Sequence, residues 1–383
     1  MQFILSLFYF LYFAIIGVYI IFLPKVLSML GYSASEIGII FAAGPLVRFL
    51  LPFAFVKGLK LNNKTFNLAI LIMLASSISF YFCVDTFYGL LLSNIGLGMG
   101  LSVILPFVEV ISLETMKKES YGKIRLFGSI GFILVALVLV RYLSSAQIAL
   151  NYLLLFTSLT AIVAFIIARS ASTDPKGHKQ QTNDINLLAD WKLWLGLTLM
   201  QVSFGPFYNF FTIYETNHGI SLDMTIYLWT FGVVAEIIML YYQGGFLRQN
   251  LLLILKITTF ATAIRWFLLF LFPQNLVMLF LSQLLHALSF ALFHSAAISY
   301  LFYLYKHKAL AQQFFSGITY GLGGFVGALY AGYVYELFPR YLFLSSTFIA
   351  LLASWFIYLW SKKLQIAVKS SCKTKRDPES SSG

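Results

Sequence analysis

Residues Gly31 to Pro52 read GYSASEIGIIFAAGPLVRFLLP, a short polar turn and then an apolar run with a single arginine, Arg48, in its middle. A variant recurs in the second half of the chain, where Gly219 to Tyr241 read GISLDMTIYLWTFGVVAEIIMLY. Laying Gly31 on Gly219 also lays Ser33 on Ser221, Gly17 on Gly205 and Arg48 on Glu236. A basic and an acidic group therefore occupy matching depths in two halves of one hydrophobic protein. The pattern is that of a two-fold-repeated membrane protein that keeps ionisable groups near the middle of the bilayer.

The composition agrees. The 383 residues are 60% hydrophobic, 18% aromatic and 10% charged, against about 25% charged in soluble domains. Long apolar runs recur from end to end, and the short alternating segments of a β-barrel are absent from the sequence, so the expected class is polytopic and α-helical. The formal charge of +12 sits in alternate loops. With the amino terminus in the cytoplasm, one side collects Lys57, Lys60, Lys64, Lys117, Lys118, Lys123, Arg169, Lys176, Lys179, Lys192, Arg248, Lys306 and Lys308, and the tail adds six more basic residues. The other side shows Lys25, Arg141 and Arg340. That asymmetry is a positive-inside bias and places both termini in the cytoplasm of an inner (plasma) membrane protein. It also argues against a nucleic-acid partner, because no basic and aromatic surface accompanies the charge. Two cysteines, Cys83 and Cys372, give no disulfide framework. The first apolar run lacks a basic lead-in and a small-residue cleavage site, so an uncleaved helix is expected there.

Apolar windows long enough to span the bilayer fall near 3–24, 36–56, 66–84, 87–110, 124–143, 148–168, 191–214, 222–243, 250–272, 275–300, 309–335 and 340–361. The expected fold is therefore all-α, with twelve transmembrane helices in two pseudo-symmetric six-helix bundles, 1–169 and 191–361. A cytoplasmic linker, 170–190, joins them, and a disordered cytoplasmic tail, 362–383, follows. Weaker echoes support the repeat: Leu92-Ser93-Asn94 matches Leu281-Ser282-Gln283, and Phe127-Gly128 with Gly131-Phe132 matches Tyr320-Gly321 with Gly324-Phe325. Parallel repeats with a site at their interface near mid-membrane describe one transporter architecture. Gly317 with Gly321, Gly323 with Gly327, and Gly128 with Gly131 mark close helix approaches, read equally as static packing or as sliding contacts.

A charge at mid-membrane costs roughly 2.5 to 3.5 kcal/mol on insertion scales. Arg48, Glu236 and Arg265 lie well inside expected helices, and His286 and His294 join them in the tenth. Glu109 and Arg125 lie near the inner ends of the fourth and fifth. Either these groups form structural ion pairs, or several line an aqueous cavity and handle substrate or protons. In the tenth helix Gln283, His286, Phe290 and His294 recur at three or four residues and share a face, which belongs toward a cavity rather than lipid. Either histidine has the chemistry to carry a proton near neutral pH. The seventh helix offers a second stripe, Gln201, Phe204, Tyr208, Phe211, Thr212 and Glu215, with Glu215 expected near the outer mouth and solvated. Tyr208 and Asn209 supply hydrogen-bonding groups. In the ninth helix Thr258, Thr262 and Arg265 share a side, and in the first Ser6, Tyr9, Phe13 and Gly17 do so. Aromatic walls with a few placed polar groups suit a small-molecule site.

Several strings resemble the phenylpropionate permease branch of the major facilitator superfamily, close to the lactose and nucleoside proton symporters. They are Tyr9-Phe10 through Gly17, Gly31-Tyr32-Ser33, Arg48-Phe49, Pro106-Phe107-Val108-Glu109 and Tyr121-Gly122-Lys123-Ile124-Arg125-Leu126-Phe127-Gly128-Ser129-Ile130-Gly131-Phe132. Ala235-Glu236, Gln283-Leu284-Leu285-His286-Ala287 and His294 continue the likeness in the second half. The resemblance implies a proton-coupled importer of small organic molecules. It implies that Glu109 and Arg125 are a substrate-handling carboxylate–arginine pair, and that Arg265 with His286 serves coupling. Two features depart from the superfamily: Lys57-Gly58-Leu59-Lys60-Leu61-Asn62-Asn63-Lys64 keeps only the basic part of its loop between helices two and three, and Glu109 stands where aspartate is commoner.

Together these observations point to a secondary active transporter working by alternating access, monomeric and needing no cofactor or metal beyond a proton gradient. Glu236, His286, Glu109 and His294 are the expected proton carriers. Arg48, Arg265, Arg125, Tyr208, Asn209, Tyr9 and Gln283 are the expected substrate ligands. Arginine presents paired donors to a carboxylate, so the reading leans to an organic or aromatic acid. A nucleoside or sugar symporter and a drug/proton antiporter are the alternatives of the same fold. No nucleophile–base pair or metal-ligand cluster at reactive spacing supports an enzyme.

Overall fold

The computed structural model describes residues 1–59, 62–115, 118–143, 145–170, 185 and 187–374, and among them the chain is almost entirely helical. Twelve helices follow in order. In the first half they are Gln2–Met29, Ala34–Val56, Asn63–Phe82, Phe87–Thr115, Lys118–Tyr142 and Ala146–Ser170. Helix seven is two segments, Trp191–Ser203 and Gly205–Asn217, broken at Phe204. Helices eight to ten are Leu222–Tyr242, Leu251–Leu271 and Leu276–Leu304, with a short turn of helix at Gly244–Leu247. Helix eleven runs through Lys308–Phe314, Phe315–Leu322 and Gly323–Leu337, and helix twelve is Leu342–Thr374.

Among the described residues, eleven helices are long and apolar enough to cross a membrane on their own. The exception is helix seven. Pro206, at its break, has no N–H for the carbonyl four residues back, so the ladder is interrupted there. Helix one extends beyond its expected end to Met29, carrying Pro24 at the start of its last segment, where a missing N–H costs least. Helix twelve runs on to Thr374, through Lys362, Lys363 and Lys369, which the sequence placed in a disordered tail. The stretch from Trp360 to Lys373 contains no proline or glycine to end it. Of the expected linker and tail, residues 171–184, 186 and 375–383 lie outside the described residues, as does Lys60 in the loop after helix two and Lys117 before helix five.

The two halves start their second helices alike. Gly31 and Gly219 take positive φ, +92° and +88°, which a side chain would resist. Two residues on, Ser33 and Ser221 cap helices two and eight by accepting from Glu36 N–H and Met224 N–H. Ser33 completes a capping box with Glu36. The glycines of the sequence echoes are contact points. Gly128 and Gly131 of helix five lie on Phe13 and Phe10 of helix one, and Gly327 of helix eleven lies on Gly205 of helix seven. The Phe13–Gly17 face of helix one therefore packs on helix five and does not line an open wall.

The halves meet along helices two and eleven, five and eight, and one and seven, whereas helices four and ten pack within their own halves. At the end carrying the Gly31 and Gly219 turns the seam is tight. Glu336 of helix eleven accepts from the Ser35 backbone N–H at 2.7 Å. One turn deeper Gly38 faces Gly332 so closely that a Cβ on Gly38 would stand 2.9 Å from the Gly332 Cα. The last segment of helix one, Leu23–Met29, packs against Gly205–Asn217 of helix seven.

At the opposite end the start of helix seven is anchored. The Tyr305 hydroxyl donates to Asp190 at 2.7 Å and accepts from the Trp194 indole N–H at 3.0 Å. Burial, and after it the bond to Asp190, pushes the Tyr305 hydroxyl above its ordinary range. Lys363 donates to the Ala189 carbonyl, fixing the same end to helix twelve. Tyr305→Phe leaves the buried Trp194 N–H without its acceptor and should cost about 1–2 kcal/mol. Thermal unfolding in detergent should register a lower midpoint, and an unchanged midpoint would show that the anchor contributes nothing.

Candidate functional site

Three arginines enter the membrane-spanning core, and each is treated differently. Arg265 of helix nine is fully buried. It donates to Gln283 Oε1 at 3.0 Å and to Ser289 Oγ at 3.2 Å, both on helix ten. Its guanidinium carbon lies 4.2 Å from the Phe207 ring centre, 4.5 Å from that of Trp266 and 5.6 Å from that of Phe204. Cation–π contacts of this kind grow stronger when desolvated and offset part of the cost of burying the charge. Arg125 of helix five is ion-paired to Glu109 of helix four at 3.3 Å, with their side chains 49% and 22% exposed. Arg48 of helix two is exposed and, among the described residues, has neither an acidic partner nor a side-chain hydrogen bond.

The side chains around Arg48 come from both halves. Its charge reaches the hydroxyls of Tyr12 and Tyr19 on helix one, Tyr208 on helix seven and Tyr320 on helix eleven. Tyr208 is also within electrostatic reach of Glu236 and Arg265, so it stands where the two sets of charges meet. Tyr19 donates to Asn94 Oδ1 at 2.7 Å, and Asn94 of helix four donates in turn to the Ile40 carbonyl on helix two. Tyr320 is held at 2.7 Å by His294 Nδ1.

Glu236, the repeat partner of Arg48, does not pair with it. Its Oε2 lies 3.5 Å from His286 Nε2, both side chains being largely buried. Arg265 binds Gln283 and Ser289, on either side of His286, and His286 stacks on Phe290 at 5.1 Å with the rings 4° from parallel. A π-helical turn, Ala287–Leu292, widens helix ten between His286 and His294. Similar turns occupy Val18–Phe22 in helix one, holding Tyr19, and Phe315–Leu322 in helix eleven, holding Tyr320. Such turns are frequent at functional sites because they re-aim side chains without ending the helix.

The repeat extends into this geometry. Gly44, one turn before Arg48, meets Gly98 of helix four and the Tyr19 hydroxyl, and Gly232, one turn before Glu236, meets Gln283 and His286 of helix ten. Asn94 and Gln283, matched in the sequence, each tie helix four or ten of their half to a neighbour.

Other expected ligands lie elsewhere. Asn209 spends its amide on the Gly205 carbonyl of its own helix at 2.8 Å. Tyr9 is fully buried within the first half. Glu215 is not solvated as the sequence suggested: it is 0% exposed, and neither carboxylate oxygen has a hydrogen-bond partner among the described residues. The segments Leu23–Met29 of helix one and Gly323–Leu337 of helix eleven pack against its segment of helix seven. Tyr12 and Tyr19 were not named as site residues by sequence, and Tyr320 was named only as the repeat match of Phe127. Asn94 carried one signal, its register with Gln283.

The family model described as the MFS_1 like family matches residues 2–345. The chain belongs to that family. Its members are major facilitator transporters and not enzymes. Among curated relatives, the probable 3-phenylpropionic acid transporter of Escherichia coli is 24% identical over 91% of this chain and 94% of its own. The quinolone resistance protein NorA of Staphylococcus aureus is 25% identical over 86% and 88%. A crystal structure of the nucleoside transporter NupG superposes with a TM-score of 0.75 at 18% identity, over 94% of this chain and 99% of that one. The likeness to NupG bears on the fold: twelve helices in two related halves.

Two variants test this geometry. Arg265→Lys loses the fork that reaches Gln283 and Ser289 together, and should lower stability by about 1–3 kcal/mol. Equal thermal midpoints for the variant and the parent would refute that role. Glu215→Gln removes a buried carboxylate that no described residue satisfies and should leave the midpoint unchanged or raised, so a clear fall would mean that the carboxyl has a partner.

Proposed function

We propose that this chain is a proton-coupled symporter that imports a small organic monocarboxylate, an aromatic acid fitting best, across an inner (plasma) membrane by alternating access. One observation carries the reading. Of the three arginines in the core, Arg125 is neutralised by Glu109 and Arg265 is committed to helix ten and to aromatic rings, so Arg48 alone offers an unspent positive charge. A guanidinium among tyrosines suits one carboxylate and an aromatic body. The printed name of the Escherichia coli relative, a 3-phenylpropionic acid transporter, supports that class.

Glu236 and His286, buried and facing each other, are the proton pair in this reading. Proton and solute act on one two-state equilibrium between the halves. With the basic loops in the cytoplasm, the Ser35–Glu336 and Gly38–Gly332 seam closes the outer side, and the state is inward-facing. A second reading, drug/proton antiport, draws on the likeness to NorA and on the aromatic ring cluster at Phe204, Phe207 and Trp266.

Proteoliposomes loaded at one pH and diluted to another decide between them. Accumulation of 3-phenylpropionate should follow an imposed inward proton gradient, and Arg48→Gln should lower it by at least about tenfold. Accumulation indifferent to the gradient would refute symport. Proton-driven movement of cationic dyes without acid uptake would favour the antiporter.

A further inference from the structure

His294 and Tyr320 form a polar contact that neither the ion pairs nor the helix packing requires. His294 Nδ1 and the Tyr320 hydroxyl are 2.7 Å apart, between helices ten and eleven. Tyr320 belongs to one π-helical turn, and His294 follows another by two residues. The Tyr320 ring packs edge-on to Phe315, and the His294 ring lies 5.5 Å from both. The residues next to Tyr320 and Arg48 touch, a Cβ on Gly321 standing 2.6 Å from the Phe49 backbone nitrogen, so helix eleven brings Tyr320 to helix two beside Arg48, the group left free to hold an anion.

A histidine–tyrosine hydrogen bond has two directions. With a neutral ring whose Nδ1 carries the lone pair, Tyr320 donates and its one hydrogen is spent on the ring. With the ring protonated, Nδ1–H donates to the tyrosine oxygen, and the phenolic hydrogen is released to turn elsewhere.

We propose that His294 and Tyr320 are a proton-operated donor switch for the anion site: a proton arriving on His294 reverses their hydrogen bond, and the freed Tyr320 O–H then donates to the carboxylate held by Arg48. Only a proton moves, onto Nδ1, and no bond to carbon forms or breaks. Anion and proton then favour one another's binding, and each leaves more readily once the other has gone. The inference rests on the acid-transport reading and extends it by naming how one proton site and the anion subsite communicate.

The groups facing the switch fit this role. Helix five presents Arg125, paired with Glu109, and helix eight presents Glu236, paired with His286. Helix seven presents Tyr208 and helix two presents Arg48. Around the same helix-ten segment, helix nine spends Arg265 on Gln283 and Ser289, and Lys256 on Ser361 of helix twelve. Lys308, at the start of helix eleven, lies over Phe302, and Arg248 follows the short helix Gly244–Leu247.

The test uses the full chain in lipid nanodiscs with 3-phenylpropionate as the probe, titrated between about pH 5.5 and pH 8. The parent should bind about tenfold more tightly at the acid end, one hydrogen bond to a charged group being worth that much. Tyr320→Phe and His294→Gln should still bind, but with a pH slope smaller than the parent's, the remainder belonging to Glu236 and His286. A slope equal to the parent's in Tyr320→Phe overturns the switch. Arg48→Gln should lose binding at every pH; binding retained there overturns the acid-transport reading and the switch with it, whereas an unchanged slope in Tyr320→Phe overturns the switch alone. Histidine-selective nitrogen-15 spectra give a readout without solute. The His294 resonance should titrate differently in Tyr320→Phe, and superimposable titrations would overturn the hydrogen bond on which the switch depends.

Discussion

A guanidinium inside hydrocarbon has to be given donors' partners, a counter-charge or water, and how each arginine meets that demand organises this protein. Arg265 meets it with two hydrogen bonds and three aromatic faces, tying helices seven, nine and ten into one unit. Arg125 meets it with Glu109, joining helices four and five. Arg48 meets it with neither, and stands at the seam where tyrosines from both halves converge. Two arginines therefore serve as internal ties of their own halves, and the third is left exposed at the seam. The two-fold repeat thus yields an asymmetric centre, since the position that is basic in helix two is acidic in helix eight and paired with a histidine.

The helices around that centre are not ideal rods. Helix one, helix ten and helix eleven each contain a π-helical turn, and helix seven is interrupted at Phe204. These four border the site, while helix three, which packs on helices four and six, is regular. Glycines supply the complementary property. Where helix two meets helix eleven, and helix seven meets helix eleven, backbones touch without intervening side chains.

Much of this was legible in the sequence, for identifiable reasons. Hydrophobic windows of bilayer length give the helices, because a spanning chain must satisfy its backbone within each segment. The Gly31 and Gly219 turns were legible because a left-handed glycine followed by a capping serine is a local device repeated in both halves. The polar face of helix ten follows from spacing, and the Glu109–Arg125 pair is what the resemblance implied. The pairing of buried groups did not. The Arg48–Glu236 match in register suggests a partnership, yet Glu236 turns to His286 within its own half. Tyr19 and Tyr320 were hidden because a π turn shifts the helical phase, and nothing in residue type announces it. Glu215 was misplaced because its position near a helix end hides how closely the neighbouring helices cover it.

The bond from Glu336 to the start of helix two has a further consequence. The donor there is the main-chain N–H of residue 35, not a side chain. Any amino acid but proline supplies it, so one border of the seam is free to drift in sequence while the acidic residue opposite is not. Pairs of positions that change together across related chains would therefore miss this junction, although it is where the two halves are most directly fastened.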